Sequence, residues 1–229
     1  VCPVLDFCFR VSKYKWSMYK MIRIATFDIG KKNFAFVVQE IEETVLATLD
    51  KTNLDEVFAA GKIILFENID LTTGCKKDCY LDPKTFINMT DVLDSFASVW
   101  DTCEAFVIEQ QMSFGKKHNT MALKLGQHCY SYFCIKYRDF KDVLEFPSYH
   151  KTKALNAPRK FGKIKKTYKN GKTKLIQDNH KKWSIRMAEK ILRMRKDDVH
   201  LAVLTGMKKK DDVSDCLLMV QAYLIKFRI

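Results

Sequence analysis

The chain has 229 residues, 47% hydrophobic and 12% aromatic, which suits one well-packed domain with an insertion and excludes both global disorder and two ordinary domains. It carries 40 basic against 27 acidic residues, a formal charge of +13, and the excess is concentrated: residues 151–182 hold 12 Lys/Arg and the single acid Asp178, while the remainder holds 28 basic and 26 acidic side chains. A nearly neutral body with one strongly cationic segment points to a polyanion such as nucleic acid, because clustered Lys/Arg release condensed counterions from phosphates; an unpartnered, solvated loop is the alternative that charge alone leaves open.

Residues 1–20 read as an extension the fold does not need. Asp6 interrupts a short apolar run, a Lys/Tyr/Trp cluster follows, and no small-residue cleavage site marks a secretory signal. The domain is expected over 21–229, with the basic insertion at about 151–182. Residues 22–29 form a buried-strand pattern (Ile22, Ile24, Ala25, Phe27, Ile29) that stops at Gly30. Residues 34–41 and 44–49 read as the next two strands and 62–66 as another, followed by a polar loop over 67–82. Pro83 opens a helical pattern with Phe86, Met89, Val92, Leu93, Phe96, Val99 and Trp100 at three- and four-residue spacings. A short apolar strand over 105–109 ends in Glu109, a helix covers 119–137, and a brief strand over 143–146 is closed by Pro147. After the basic segment, helices over 179–194 and 211–227 finish the chain. Strands alternating with helices predict an α/β domain. Gly126 lies inside a predicted helix, where it costs about 1 kcal/mol relative to Ala; close packing against a neighbouring helix, in this chain or a second copy, or an ordinary contact within the domain would account for it.

The eight cysteines form no compact framework, and several sit in apolar periodic segments, as in a reduced, intracellular protein. Cys75 and Cys79 have the spacing of half a zinc site, but no second Cys/His pair follows at a fitting distance. No stretch has the length and apolarity of a membrane span.

Three acidic positions fall at the ends of predicted core elements. Asp28 ends the first strand, Glu109 ends another, and Asp212 and Asp215, three residues apart, share one face at the start of the last helix. Each acid alone has an ordinary reading: a turn for Asp28-x-Gly30, a lysine partner for Glu109, first-turn helix residues for Asp211 and Asp212. Converging, four carboxylates would repel one another, and hard divalent cations such as Mg²⁺ or Mn²⁺ would remove that penalty. Two such ions, about 3.5–4 Å apart, activate water and stabilise the leaving oxygen in phosphodiester hydrolysis.

The sequence Phe27-Asp28-Ile29-Gly30, then Ile108-Glu109-Gln110, then Ala122-Leu123-Lys124-Leu125-Gly126-Gln127, then Asp212-Val213-Ser214-Asp215 resembles the RuvC-like Holliday junction resolvases, poxvirus and other large DNA virus members in particular. The resemblance spans residues 22–225. It implies an RNase H-like fold, a central mixed five-stranded sheet flanked by helices, and a homodimer. It also implies Asp28, Glu109, Asp212 and Asp215 as ligands of two Mg²⁺ ions per site (Mn²⁺ substituting), with no small-molecule cofactor and no membrane partner. The implied activity is resolution of four-way DNA junctions by paired symmetric nicks that leave 5′-phosphates, in viral genome processing in the host cytoplasm. A lysine near the scissile phosphate is implied at Lys151 or Lys153, and Lys163, Lys165 and Lys166 are expected on the DNA. Where bacterial members carry a junction-wedging aromatic, this chain has Met112, with Phe114 two residues on. The rivals are a broader flap or branched-DNA nuclease on the same fold and a non-catalytic DNA-binding module. An actin-like kinase or ATPase also opens on D-x-G, but with 8 glycines and no second phosphate-binding loop this chain fits that class poorly.

Overall fold

The computed structural model describes residues 20–229 apart from 77–79, 81, 112–118 and 168–172, so the expected extension lies, but for Lys20, outside the described residues. A mixed sheet of five strands organises the fold: β1 (Met21–Asp28), β2 (Phe34–Glu42), β3 (Lys62–Ile69), β4 (Ala105–Glu109) and β5 (Asp142–Phe146), in spatial order β3-β2-β1-β4-β5. β3, β2 and β1 pair antiparallel, while β1, β4 and β5 run parallel. The central strands read as near-continuous apolar runs because both faces of the sheet are covered. One face packs Ile22, Ile24, Ala105 and Val107 against α7 (His180–Met194) and α9 (Asp211–Phe227). The other packs Ala25, Phe27, Phe106 and Ile108 against α3 (Pro83–Ser95) and α5 (Thr120–Tyr137). On that side Phe106 and Phe133 stack at 4.0 Å between ring centroids.

Several expectations are corrected. Residues 44–49 are not a strand. β2 stays paired with β1 as far as Glu42, and Glu43 N donates to Lys20 O at the end of that ladder. With no further strand to pair with, the chain folds into the short helix α1 (Glu43–Leu46), which buries Leu46 and leaves Val45 exposed. The sheet edge is instead β3, after a second short helix, α2 (Leu54–Ala59). The helix expected to reach Trp100 breaks at Phe96 (φ −106°, ψ 16°), beyond which lies the turn α4 (Ala97–Trp100). The basic segment holds α6 (Ser148–Ala154) and an antiparallel ribbon, β6 (Lys163–Thr167) with β7 (Thr173–Gln177). A further helix, α8 (Asp198–Gly206), precedes α9. The neighbours a Cβ on Gly126 would meet are Gln111 at 3.7 Å and Ile29 at 4.0 Å, in a loop and beside the sheet, so no helix packs there among the described residues.

Asn and Asp caps start most of the longer helices: Asp82 accepts from Lys84 N, Asn119 from Ala122 N, Asn179 from Lys182 N and Asp197 from His200 N. α9 has no side-chain cap, and Asp211 and Asp212 stand in its first turn instead. Arg195 is half-buried and ties three elements together, donating to Phe58 O (2.7 Å), Gln39 Oε1 (2.9 Å) and Gln221 Oε1 (3.3 Å). Burial pushes its pKa down to about 10, so it remains charged at neutral pH.

Candidate active site

Alternation along the strands places the acids. Ile22 and Ile24 of β1 face α9, and Thr26 on the same side donates its hydroxyl to Cys216 O of α9 at 2.9 Å, so Asp28 continues that face. In β4, Ala105 and Val107 face α9, and Glu109 follows them. β1 and β4 are parallel with Phe27 opposite Ile108, so Asp28 and Glu109 lie side by side one residue beyond that pair. Gly30 closes the turn after Asp28: a Cβ there would sit 2.9 Å from Asn33 O. The first turns of α9 bring Asp212 and Asp215 to the same end of the sheet.

The four carboxylates sense one another. Desolvation holds Asp28 well above the usual aspartate range, and the charges of Glu109, Asp212 and Asp215 push it further. Glu109 is also raised, chiefly by desolvation, against the pull of Lys151. Asp212 is raised by desolvation too, although Lys209 opposes it. Lys151 is buried among them, with Nζ 2.8 Å from Asp215 Oδ1 and 3.7 Å from Glu109 Oε1. Burial disfavours its charge, yet Asp215 and Glu109 hold its pKa above the ordinary lysine value. Lys153, two residues on, is exposed. Of the two lysines considered from sequence, α6 therefore delivers Lys151 to the acids.

The residues suit a divalent cation by their chemistry. Asp212 Oδ2 and Asp215 Oδ1 are shut off from solvent without a well-aligned hydrogen-bond donor. The ammonium groups of Lys209, 2.5 Å from Asp212 Oδ2, and Lys151, 2.8 Å from Asp215 Oδ1, face them. As the side chains stand, no three His, Cys, Asp or Glu among the described residues close around an ion. The ammonium groups of Lys151 and Lys209 supply counter-charge to Glu109, Asp215 and Asp212.

Beside the acids opens a cavity of 350 Å³ lined by Glu109, Lys151, Asp215, Tyr149, His180 and Lys181, among others. Tyr149, His180, Lys181 and Lys209 were not singled out from sequence. Only the position of Lys209, three residues before Asp212, carried a signal. The ribbon leads into this cavity, since β7 ends at Gln177 and His180 opens α7. Lys163 and Lys165 are exposed on β6, and Lys166 lies opposite Lys174. Met112 and Phe114 lie outside the described residues. No helix among the described residues is long and apolar enough to cross a membrane.

The chain is 35% identical over 221 residues to the uncharacterized protein 170L of invertebrate iridescent virus 6, covering 88% of each. Its fold is similar to that of the yeast mitochondrial Holliday junction resolvase Ydc2, with TM-score 0.54 and 14% identity over 90% of this chain and 81% of that one. It is similar also to that of Thermus thermophilus RuvC, with TM-score 0.53 and 14% identity over 89% and 94%. No family model matches the chain.

Proposed function

We infer the function from this premise: the chain belongs to the family of protein 170L of invertebrate iridescent virus 6, and its fold is that of the RuvC-like resolvases. The reading it supports best is a metal-dependent endonuclease of branched DNA, with the four-way junction as substrate. The observation that carries it is the convergence of Asp28, Glu109, Asp212 and Asp215, from two parallel strands and one helix, around the buried Lys151. The four acids would hold two Mg²⁺ ions, with Mn²⁺ able to replace them. When bound, such ions supply an activated water and neutralise charge on the leaving oxygen of a phosphodiester.

The chain's own groups do the rest. Asp212 stands in the first turn of α9, at the positive end of its dipole, where a negatively charged ligand is favoured. Lys151 is placed to meet a phosphate oxygen once a cation takes over the acids. His150 is a weak base: Lys226 Nζ lies 2.6 Å from its Nε2, and desolvation together with the charges of Lys226 and Lys153 holds its pKa below the ordinary histidine value. The 350 Å³ cavity beside Lys151 gives one DNA strand room to approach. Lys163, Lys165 and Lys166 of the ribbon would hold the flanking backbone. Paired symmetric nicks that leave 5′-phosphates require two such sites, hence a homodimer. The setting would be viral genome processing in the host cytoplasm.

The test is cleavage of a synthetic four-way junction, with duplex, flap and splayed-arm controls, in Mg²⁺ and in EDTA, by the wild type and Asp212→Asn. Paired nicks that need the metal and vanish in the variant establish the activity. Equal cutting of flaps replaces junction selectivity with a broader branched-DNA nuclease. Binding without any cleavage replaces the enzyme with a binding module.

A further inference from the structure

A second basic locus lies away from the acids and outside the cationic insertion. The loop after β1 and the loop after β3 are joined by Leu71 N donating to Lys31 O at 2.8 Å. Between them and the start of α3 is a cavity of 490 Å³, lined by Lys31, Lys32, Lys76, Thr72, Gly74 and Thr85, with the Cys75 thiol at its wall. Three lysines thus line one concavity, and no acidic residue lines it among the described residues. Two acids of these loops, Asp70 and Asp82, are taken up by donors of the loops themselves. Asp82 accepts from Lys76 N at 2.7 Å and Lys84 N at 2.9 Å, while Asp70 accepts from Thr72 N at 2.8 Å and its hydroxyl at 2.6 Å. Gly74, at φ +72°, has nothing within 4 Å of where a Cβ would be, so the wall is open to close approach there. Lys31 also lies 5.8 Å from the ring of Tyr80, whose hydroxyl accepts from Met121 N of α5.

Its place matters as much as its charge. β3 runs in the same direction as β1, so its last residue, Ile69 opposite Phe34, is at the sheet end that carries Asp28 and Glu109. Two strand spacings, about 10 Å, separate β3 from β1. A nucleic-acid strand advances about 3.4 Å per phosphate, so a strand laid along this end with one phosphate at the acids has another within reach of the lysines two or three nucleotides away.

We propose that the Lys31/Lys32/Lys76 cavity is a phosphate subsite, taking one backbone phosphate of the DNA strand two or three nucleotides from the one cleaved. The subsite rests on the nuclease reading and deepens it: it fixes the register of the strand, whereas the acids perform the chemistry.

The test is junction binding by the full chain in Ca²⁺ over a range of salt, for the wild type, for Lys31→Gln/Lys32→Gln/Lys76→Gln, and for a control losing equal charge at the exposed Lys51, Lys62 and Lys136. Loss of one phosphate contact lowers the slope of log K against log salt by about one in the cavity variant only, and weakens binding about tenfold at 0.1 M salt. Single-turnover cleavage at saturating junction stays within about twofold of wild type, since the lysines touch no reacting atom. A slope equal to that of the control overturns the subsite. Should the triple variant fail to fold, alkylation of Cys75 in the wild type decides: junction DNA slows it several-fold if a strand covers the cavity, and leaves it unchanged if none does. A wild type that neither binds nor cuts the junction removes the nuclease reading itself, which is a different outcome from an unaltered slope in an active enzyme.

Discussion

At the residue scale, a recessed group of acids is a source of instability, which the cation proposed for it would relieve. Asp28, Glu109 and Asp212 all have pKa values raised in the fold, first by desolvation. The folded chain therefore binds more protons than the unfolded chain once the pH exceeds the ordinary carboxylate range. The stabilisation is complete below about pH 4 and is lost as pH rises through the raised values. In EDTA, the contribution of these acids to Tm should fall as pH rises from 5 to 8, and Mg²⁺ should restore it; a contribution that rises with pH would contradict the clustering. Asp28→Asn, which cannot ionise, should flatten that dependence and raise the metal-free Tm at pH 8 by about 3 °C, or about 1 kcal/mol for a chain of this size, while abolishing cleavage. Lys151→Ala acts in the opposite direction. Removing the one buried ammonium among the acids should cost about 3 kcal/mol in EDTA, read by denaturant titration, with part of the loss recovered in Mg²⁺.

At the scale of elements, some of the fold was legible and some was not, for physical reasons. β1, β2 and β4 stand out because a strand covered on both faces must be apolar throughout, and a carboxylate ending such a run is conspicuous; this is how Asp28 and Glu109 are found. Residues 44–49 have strand-like composition, but pairing needs a neighbour, and the sequence does not show that β1 has ended. The ribbon was missed because its lysines serve no core and so follow no burial period. Lys151 and Lys153 are equivalent on paper, and only the direction in which α6 leaves β5 separates them. Lys76 is distant in sequence from Lys31 and Lys32, and all three vanish in a charge count that makes the body look neutral. Two predictions belong at this scale. Gly126→Ala has room at 3.7 and 4.0 Å and gains helix propensity, so Tm should rise by about 2–4 °C. Replacing residues 164–176 by a short Gly/Ser link keeps the base of the ribbon, where Gln177 Nε2 donates to Phe161 O at 2.7 Å and Arg186 pairs with Asp178 at 2.7 Å. Tm should then move by less than about 2 °C, whereas junction binding should lose about two units of salt slope.

At the scale of the whole molecule, one sheet carries two cores, and α9 belongs to the foundation of the site as much as to its chemistry. Its inner stripe, from Val213 through Leu224, is buried against the sheet, and the Thr26 hydroxyl binds its backbone at Cys216. The acids consequently have no local support of their own: β1, β4 and α9 meet only when the tertiary fold is complete. Amide protons of α9 should exchange only through global opening, in contrast to those of the ribbon. Along a urea titration, cleavage and tryptophan fluorescence should then disappear at the same concentration. A fold wired in this way leaves a half-assembled chain, whether still emerging from the ribosome or partly unfolded, without the converged acids and so without the cutting activity proposed for them.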